Sequence, residues 1–184
     1  MKIIEIPITE HYETMKKELL SSWFPWCFIE TPHGPLSSWH PDDIEKYNGD
    51  PYFSHCLLMA PGAGGVEYLY STVNSEYADL VNRIILDTVR HNKLVMNQIV
   101  RINFNMTFPS KRNLPDKPHT DHQFPHNNML FYFTENGGKT VIQEESGDVE
   151  YTPVEDTGIV FGGDMHYHWY PETGRRVVMV VTYI

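Results

Sequence analysis

Cysteine is scarce in this chain. The two that occur, Cys27 and Cys56, belong to no C-x-x-C pair. That argues against a disulfide framework and against a structural zinc built on sulfur. Basic side chains are few as well, 14 Lys and Arg against 24 Asp and Glu, for a net charge of −10. A general binder of phosphate backbones carries a basic footprint, so no nucleic-acid partner is expected. Two cations stand side by side only at Lys16-Lys17, Lys111-Arg112 and Arg175-Arg176. No apolar run approaches the roughly 20 residues of a membrane span. Residues 1–8 show no basic region followed by a long apolar one, so neither a membrane partner nor a secretory signal is read, and a cytoplasmic location is expected. The glycine-rich stretch Pro61-Gly62-Ala63-Gly64-Gly65 lacks the lysine and hydroxyl ending of a phosphate loop and reads as a turn. No internal repeat, low-complexity segment or linker is visible.

Large side chains are what the sequence has in quantity: it is 41% hydrophobic and 13% aromatic over 184 residues. That excludes a disordered chain and suits one domain, 1–184, with a full core. Residues 2–8 alternate loosely and read as a short strand. Thr9 can cap a helix through Leu20, with Glu10 and Glu13 early and Lys16 and Lys17 late, as the helix dipole prefers. Residues 21–54 hold three tryptophans and five prolines, and irregular structure is expected there. A helix from Asn74 or Ser75 to about His91 follows. Its apolar positions Tyr77, Leu80, Val81, Ile84, Ile85, Thr88 and Val89 recur at three- and four-residue spacing.

From residue 96 onward the pattern turns to strands. They are expected at 96–108, 119–122, 129–134, 139–143, 149–152, 158–161, 165–169 and 176–183, with a loop at 109–117. About eight short strands separated by turn residues indicate a sandwich or barrel. The fold expected is mainly β (α+β), a jelly roll with helices supporting one face.

Chemistry gathers around Pro118-His119-Thr120-Asp121-His122-Gln123-Phe124-Pro125-His126. On an extended strand His119 and Asp121 point to the same face. A third imidazole is available at His166 or His168. Two His and one carboxylate with open positions opposite suit a non-heme Fe(II) centre. Three protein ligands leave positions open on such a metal, and Arg176 offers a planar fork matched to a carboxylate. His122 is expected to make a structural hydrogen bond and His126 to lie at the pocket or the surface. Arg175 is expected to be solvated. Arg101 and Asn103 could reach the site, with an exposed sheet face the favoured place for Arg101.

In order, His119, Asp121, Tyr132, Gly137-Gly138, Thr140, the distal histidines and Arg176 resemble the Fe(II)- and 2-oxoglutarate-dependent dioxygenases, in particular the prolyl 4-hydroxylase-like branch. The resemblance spans roughly residues 97–184 and extends to short members encoded by phages, whose setting is the host cytoplasm. It implies a cupin-like double-stranded β-helix, with residues 1–96 adding helices and aromatic-rich loops. It implies Fe(II) on His119, Asp121 and a distal histidine. His166 is favoured because it stands ten residues before Arg176, a spacing common in the family, and His168 is the alternative. It implies 2-oxoglutarate held by Arg176, with Tyr132 and Thr140 beside it. O2 then oxidises the cosubstrate to succinate and CO2 while a C–H of a protein prolyl side chain or a small molecule is hydroxylated. Members that halogenate replace the carboxylate ligand with a small residue, and Asp121 is present here. Two other readings stand beside this one: a non-catalytic jelly-roll module, and a zinc hydrolase, which leaves Tyr132 and Arg176 without a task. Substrate identity and oligomeric state are open.

Overall fold

A hydroxyl starts the first helix. Thr9 Oγ1 accepts the Tyr12 N–H at 3.3 Å, Glu10 and Glu13 lie in the first turn and Lys17 in the last, so α1 spans Glu10–Leu20. It buries Tyr12, Met15 and Leu19. In the computed structural model, which describes residues 1–30, 33, 36–62 and 70–184, α1 packs with a second long helix on one face of a large antiparallel sheet. That helix, α3 (Ala78–His91), buries Val81, Ile84, Ile85 and Thr88 on the face its spacing predicts. It begins a few residues later than expected. Ser75 accepts from Tyr77 N–H through its hydroxyl and from Ala78 N–H through its carbonyl, forming a turn ahead of the helix.

The large sheet runs β1 (Lys2–Glu5), β9 (Thr157–Gly162), β6 (Asn127–Tyr132), β11 (Arg176–Tyr183), β5 (Ile99–Thr107), β3 (Tyr52–Met59), β2 (Cys27–Ile29), with β4 (Thr72–Val73) beside β3. A small sheet orders β10 (Met165–His168), β7 (Thr140–Glu144) and β8 (Gly147–Tyr151). Phe104, Met106, Phe131, Val177 and Met179 point to the helices. Leu130, Tyr132, Ile159, Phe161 and Val178 leave the opposite face and pack with Ile142 and Tyr151 of the small sheet. Successive residues of β11 thus enter two different cores, so it reads as an unbroken apolar run rather than an alternation. The two antiparallel sheets with helices behind one of them form the expected jelly roll.

Two expectations are corrected. Residues 21–54 are not irregular throughout: they carry β2, a 3-10 turn at Leu36–Ser38, α2 (Pro41–Lys46) and the start of β3. Three of their prolines, all among the described residues, sit where they cost little. Pro41 takes the first helical turn of α2, where its missing N–H is not needed, and Pro25 and Pro51 lie just before strands. Residues 119–122 do not make a strand; His119 alone forms a bridge, opposite His166. Of the glycine-rich stretch, Pro61 and Gly62 form a turn with Gly62 at φ 76°, and Ala63–Gly65 lie outside the described residues. No helix among the described residues is long and apolar enough to cross a membrane.

Candidate metal centre

The small sheet's outer strand places the histidines. β10 pairs with β7 on one side, and residues 116–119 run along the other. His119 N–H donates to His166 O at 3.0 Å, and His166 N–H returns the bond to His119 O at 2.9 Å. Asp116 N–H donates to His168 O at 2.8 Å. This register sets His119 beside His166 and Asp116 beside His168.

The two paired imidazoles are held alike. His119 Nδ1 lies 3.0 Å from Lys117 O and His166 Nδ1 2.9 Å from Asp164 O. A carbonyl only accepts, so each Nδ1 carries a proton and Nε2 is the nitrogen left to offer a lone pair. His166 Nε2 stands 3.4 Å from Asp121 Oδ2, a buried oxygen with no hydrogen-bond partner among the described residues. The ligating atoms of His119, Asp121 and His166 all lie within 4.8 Å of one another. Burial lowers the His166 pKa below its ordinary value although Asp121 opposes it, so the ring is neutral. Burial opposes charge on Asp121 too, but Arg101, His166 and His119 outweigh it and hold the carboxyl below its usual range. A bare nitrogen lone pair facing an orphaned anionic oxygen is repulsive, and a divalent cation between them relieves it. The donor set therefore fits a metal of the Fe(II) type.

Arg101 corrects the reading that put it on an exposed sheet face. Its Nη2 pairs with Asp121 Oδ1, leaving Oδ2 for the histidine side. Ile102, Phe104 and Met106 of β5 are buried toward the helices, while Arg101, Asn103, Asn105 and Thr107 line a cavity of about 390 Å³ between the sheets. The alternation was visible in the sequence. Whether its polar face met water or an enclosed space was not.

Across from β5, β11 adds Arg176, Val178 and Val180 to the same cavity. Register pairs Arg176 with Thr107 and Thr182 with Arg101, so the arginine guarding Asp121 and Arg176 belong to opposite ends of the strand pair. Arg176 is 4% exposed, donating through Nε to Gly138 O at 3.2 Å and through Nη2 to Thr140 Oγ1 at 3.0 Å. Among the described residues no carboxylate lies within ion-pairing distance of it. Thr140 also lines the cavity, whereas Tyr132 does not: its hydroxyl is 2.8 Å from Thr140 Oγ1, behind the cavity wall. Burial pushes the Tyr132 phenol up to about 12, so it stays protonated. Gly138 sits at φ 76°, and a Cβ there would lie 2.6 Å from Trp169 O and 2.9 Å from Arg176 Cδ. Only glycine lets the turn close on the arginine.

No family model matches the sequence, and no curated protein sequence matches it. Solved structures match it in shape. A 2OG-Fe(II) oxygenase-family oxidoreductase from Burkholderia pseudomallei superposes with TM-score 0.67 at 11% identity, over 98% of this chain and 84% of that one. A full-length Neurospora crassa protein, solved in complex with alpha-KG, gives 0.54 at 11% identity, over 98% of this chain and 74% of that one. The alpha-ketoglutarate-dependent non-heme epimerase SnoN gives 0.53 at 10% identity, over 99% and 77%. The chain has the fold of the 2OG-Fe(II) oxygenases.

On this oxygenase fold the remaining candidates take other places. His168 is not in the His119–Asp121–His166 group; its Nδ1 lies 3.6 Å from Asp116 Oδ2, and burial drives its pKa down to about 3, leaving it neutral. His122 makes a structural bond, Nε2 to Thr182 Oγ1 at 2.8 Å, and stacks on Phe124. His126 is buried rather than superficial, its Nδ1 2.8 Å from Phe124 O, and does not line the cavity. Arg175 is not merely solvated, because its Nη2 donates to Leu20 O at the end of α1 at 2.8 Å. Sequence reasoning missed Asp116, a buried carboxylate in what read as a loop, and His33, which reaches it from the aromatic-rich segment at 2.9 Å. No local pattern marks either residue.

Proposed function

We propose that the chain is an Fe(II)- and 2-oxoglutarate-dependent dioxygenase that hydroxylates an unactivated C–H of a protein prolyl side chain or of a small molecule, with release of succinate and CO2. One observation carries this reading. One cavity is walled by a buried cation that has no anion among the described residues and by a metal-donor set whose carboxylate oxygen has no hydrogen-bond partner among them. Both wants are answered by a metal ion and a dicarboxylate bound together.

His119, Asp121 and His166 would hold the iron, which supplies activation of O2 against the 2-oxo acid. Arg101 keeps one Asp121 oxygen occupied so that the other faces the metal. Arg176 would take the far carboxylate of 2-oxoglutarate, with Thr140 beside it. Tyr132, held by Thr140, keeps that hydroxyl and the guanidinium in place from behind. Val178, Val180 and Leu130 form the apolar wall that excludes water. Tyr52, Asn103, Asn105 and Tyr170 supply a neutral hydrogen-bonding wall suited to an uncharged polar substrate.

The test is spectroscopic and chemical. Anaerobic addition of Fe(II) and 2-oxoglutarate is expected to give a visible charge-transfer band, and admission of O2 to give succinate. No band and no oxygen-dependent succinate would overturn the reading.

A further inference from the structure

A second donor set stands on the same cavity wall, one step along from the first. Asp116 is 5% exposed, with its backbone N–H tied to His168 O. His33 Nε2 lies 2.9 Å from its Oδ1, and His168 Nδ1 lies 3.6 Å from its Oδ2. Among the described residues no lysine or arginine lies within ion-pairing distance of Asp116, and the side chain hydrogen-bonded to its carboxylate is His33. Asp121, by contrast, has Arg101. His33, Asp116 and His119 each offer an atom within 4.8 Å of the others, the same closeness as the first group.

His119 belongs to both groups. Lys117 O occupies its Nδ1, so Nε2 is its one free nitrogen, and a single lone pair serves one cation at a time. We propose that His33, Asp116 and His119 form a second divalent-cation site, suited to zinc and mutually exclusive with the first. Two imidazoles and a carboxylate, completed by water, make a four-coordinate zinc set. The bond from Asp116 N–H to His168 O fixes where that carboxylate stands. Zinc also stands above Fe(II) in affinity for nitrogen and oxygen donors. A zinc ion at this site draws His119 away from Asp121 and His166. On the dioxygenase reading proposed above, that makes it a brake on turnover.

Equilibrium dialysis of the metal-free chain against Zn2+ tests the site without cosubstrate or turnover. A D121N/H166A double variant, which lacks two donors of the first group, is expected to bind one zinc per chain. Adding H33A to that background is expected to weaken binding more than about a hundredfold, beyond the cost of losing a residue that only orients a ligand. If the folded double variant takes up no zinc, or if H33A changes nothing, the second site is overturned. Succinate formation by the unaltered chain reports separately on the dioxygenase reading. Should the double variant fail to fold by circular dichroism, H166A alone, with and without H33A, gives the same comparison, because it leaves the Asp121–Arg101 pair intact.

Discussion

His119 and His166 are antiparallel bridge partners, each donating its N–H to the other's carbonyl, with ring centroids 4.8 Å apart. In an H33A background, where the second donor set is broken, replacing His166 by alanine is expected to lower Co(II) affinity by more than about a hundredfold, beyond the cost of losing a residue that only orients a ligand. Replacing His168 is expected to cost less than about tenfold. Titration of the Co(II) absorption bands measures both, and equal, mild losses would mean the third ligand is misassigned.

Arg101 holds Asp121 by one oxygen. In R101Q the carboxylate loses its cation and is free to rotate, so metal affinity should fall about 10–100-fold, the usual cost of losing an orienting partner. The same titration reads it. An unchanged affinity would reduce the pair to a surface-type ion pair.

Arg176 is a buried cation with no anion among the described residues. A charge-assisted hydrogen bond contributes roughly 1.5–3 kcal/mol, so R176M should raise the 2-oxoglutarate dissociation constant about 10–100-fold. The ligand-free variant should be no less stable, because an uncompensated buried charge has been replaced by an apolar side chain of similar length. Thermal melts with and without 2-oxoglutarate separate the two effects: the ligand-induced rise in Tm disappears while the ligand-free Tm holds.

Gly138 closes the turn against Arg176. G138A places a Cβ into Trp169 O at a position of positive φ, which should cost on the order of 1–3 kcal/mol in a urea melt. The same Cβ pushes on Arg176 Cδ, so cosubstrate affinity should fall as well. Alanine tolerated on both counts would mean that the turn relaxes freely.

Tyr12 donates its hydroxyl to Asp156 Oδ1 at 2.6 Å. Burial, and then this bond, raise its pKa far above the ordinary value. The folded chain therefore keeps a proton that the unfolded chain releases near pH 10, and this contribution to stability is present below about pH 10 and lost as pH rises above it. Y12F should cost about 1–3 kcal/mol at neutral pH and flatten that alkaline limb in chemical denaturation. An alkaline limb as steep in Y12F as in the unaltered chain would show that Tyr12 is not its source.

Much was legible in the residues themselves. The spacing of Val81, Ile84, Ile85 and Thr88 set the buried face of α3, and Thr9 announced α1. The alternation of Ile102 and Phe104 with Arg101, Asn103 and Asn105 set the two faces of β5. These are consequences of chain geometry over a few residues, a period of 3.6 in a helix and of 2 in a strand. The order of His119, Asp121, Thr140 and Arg176 along the chain was legible too.

Only the tertiary structure decided what those faces meet. His166 and His168 leave the same side of β10, and nothing local distinguishes them. The bridge to His119 gives one to Asp121, and the bond from Asp116 gives the other to Asp116. Arg101 looked like a solvent-facing charge until the small sheet closed over β5 and turned its polar face into a cavity wall. Pairing register and the approach of one sheet to another are set by contacts between residues far apart in sequence. Local periodicity says which way a side chain points, and the fold says what is waiting there.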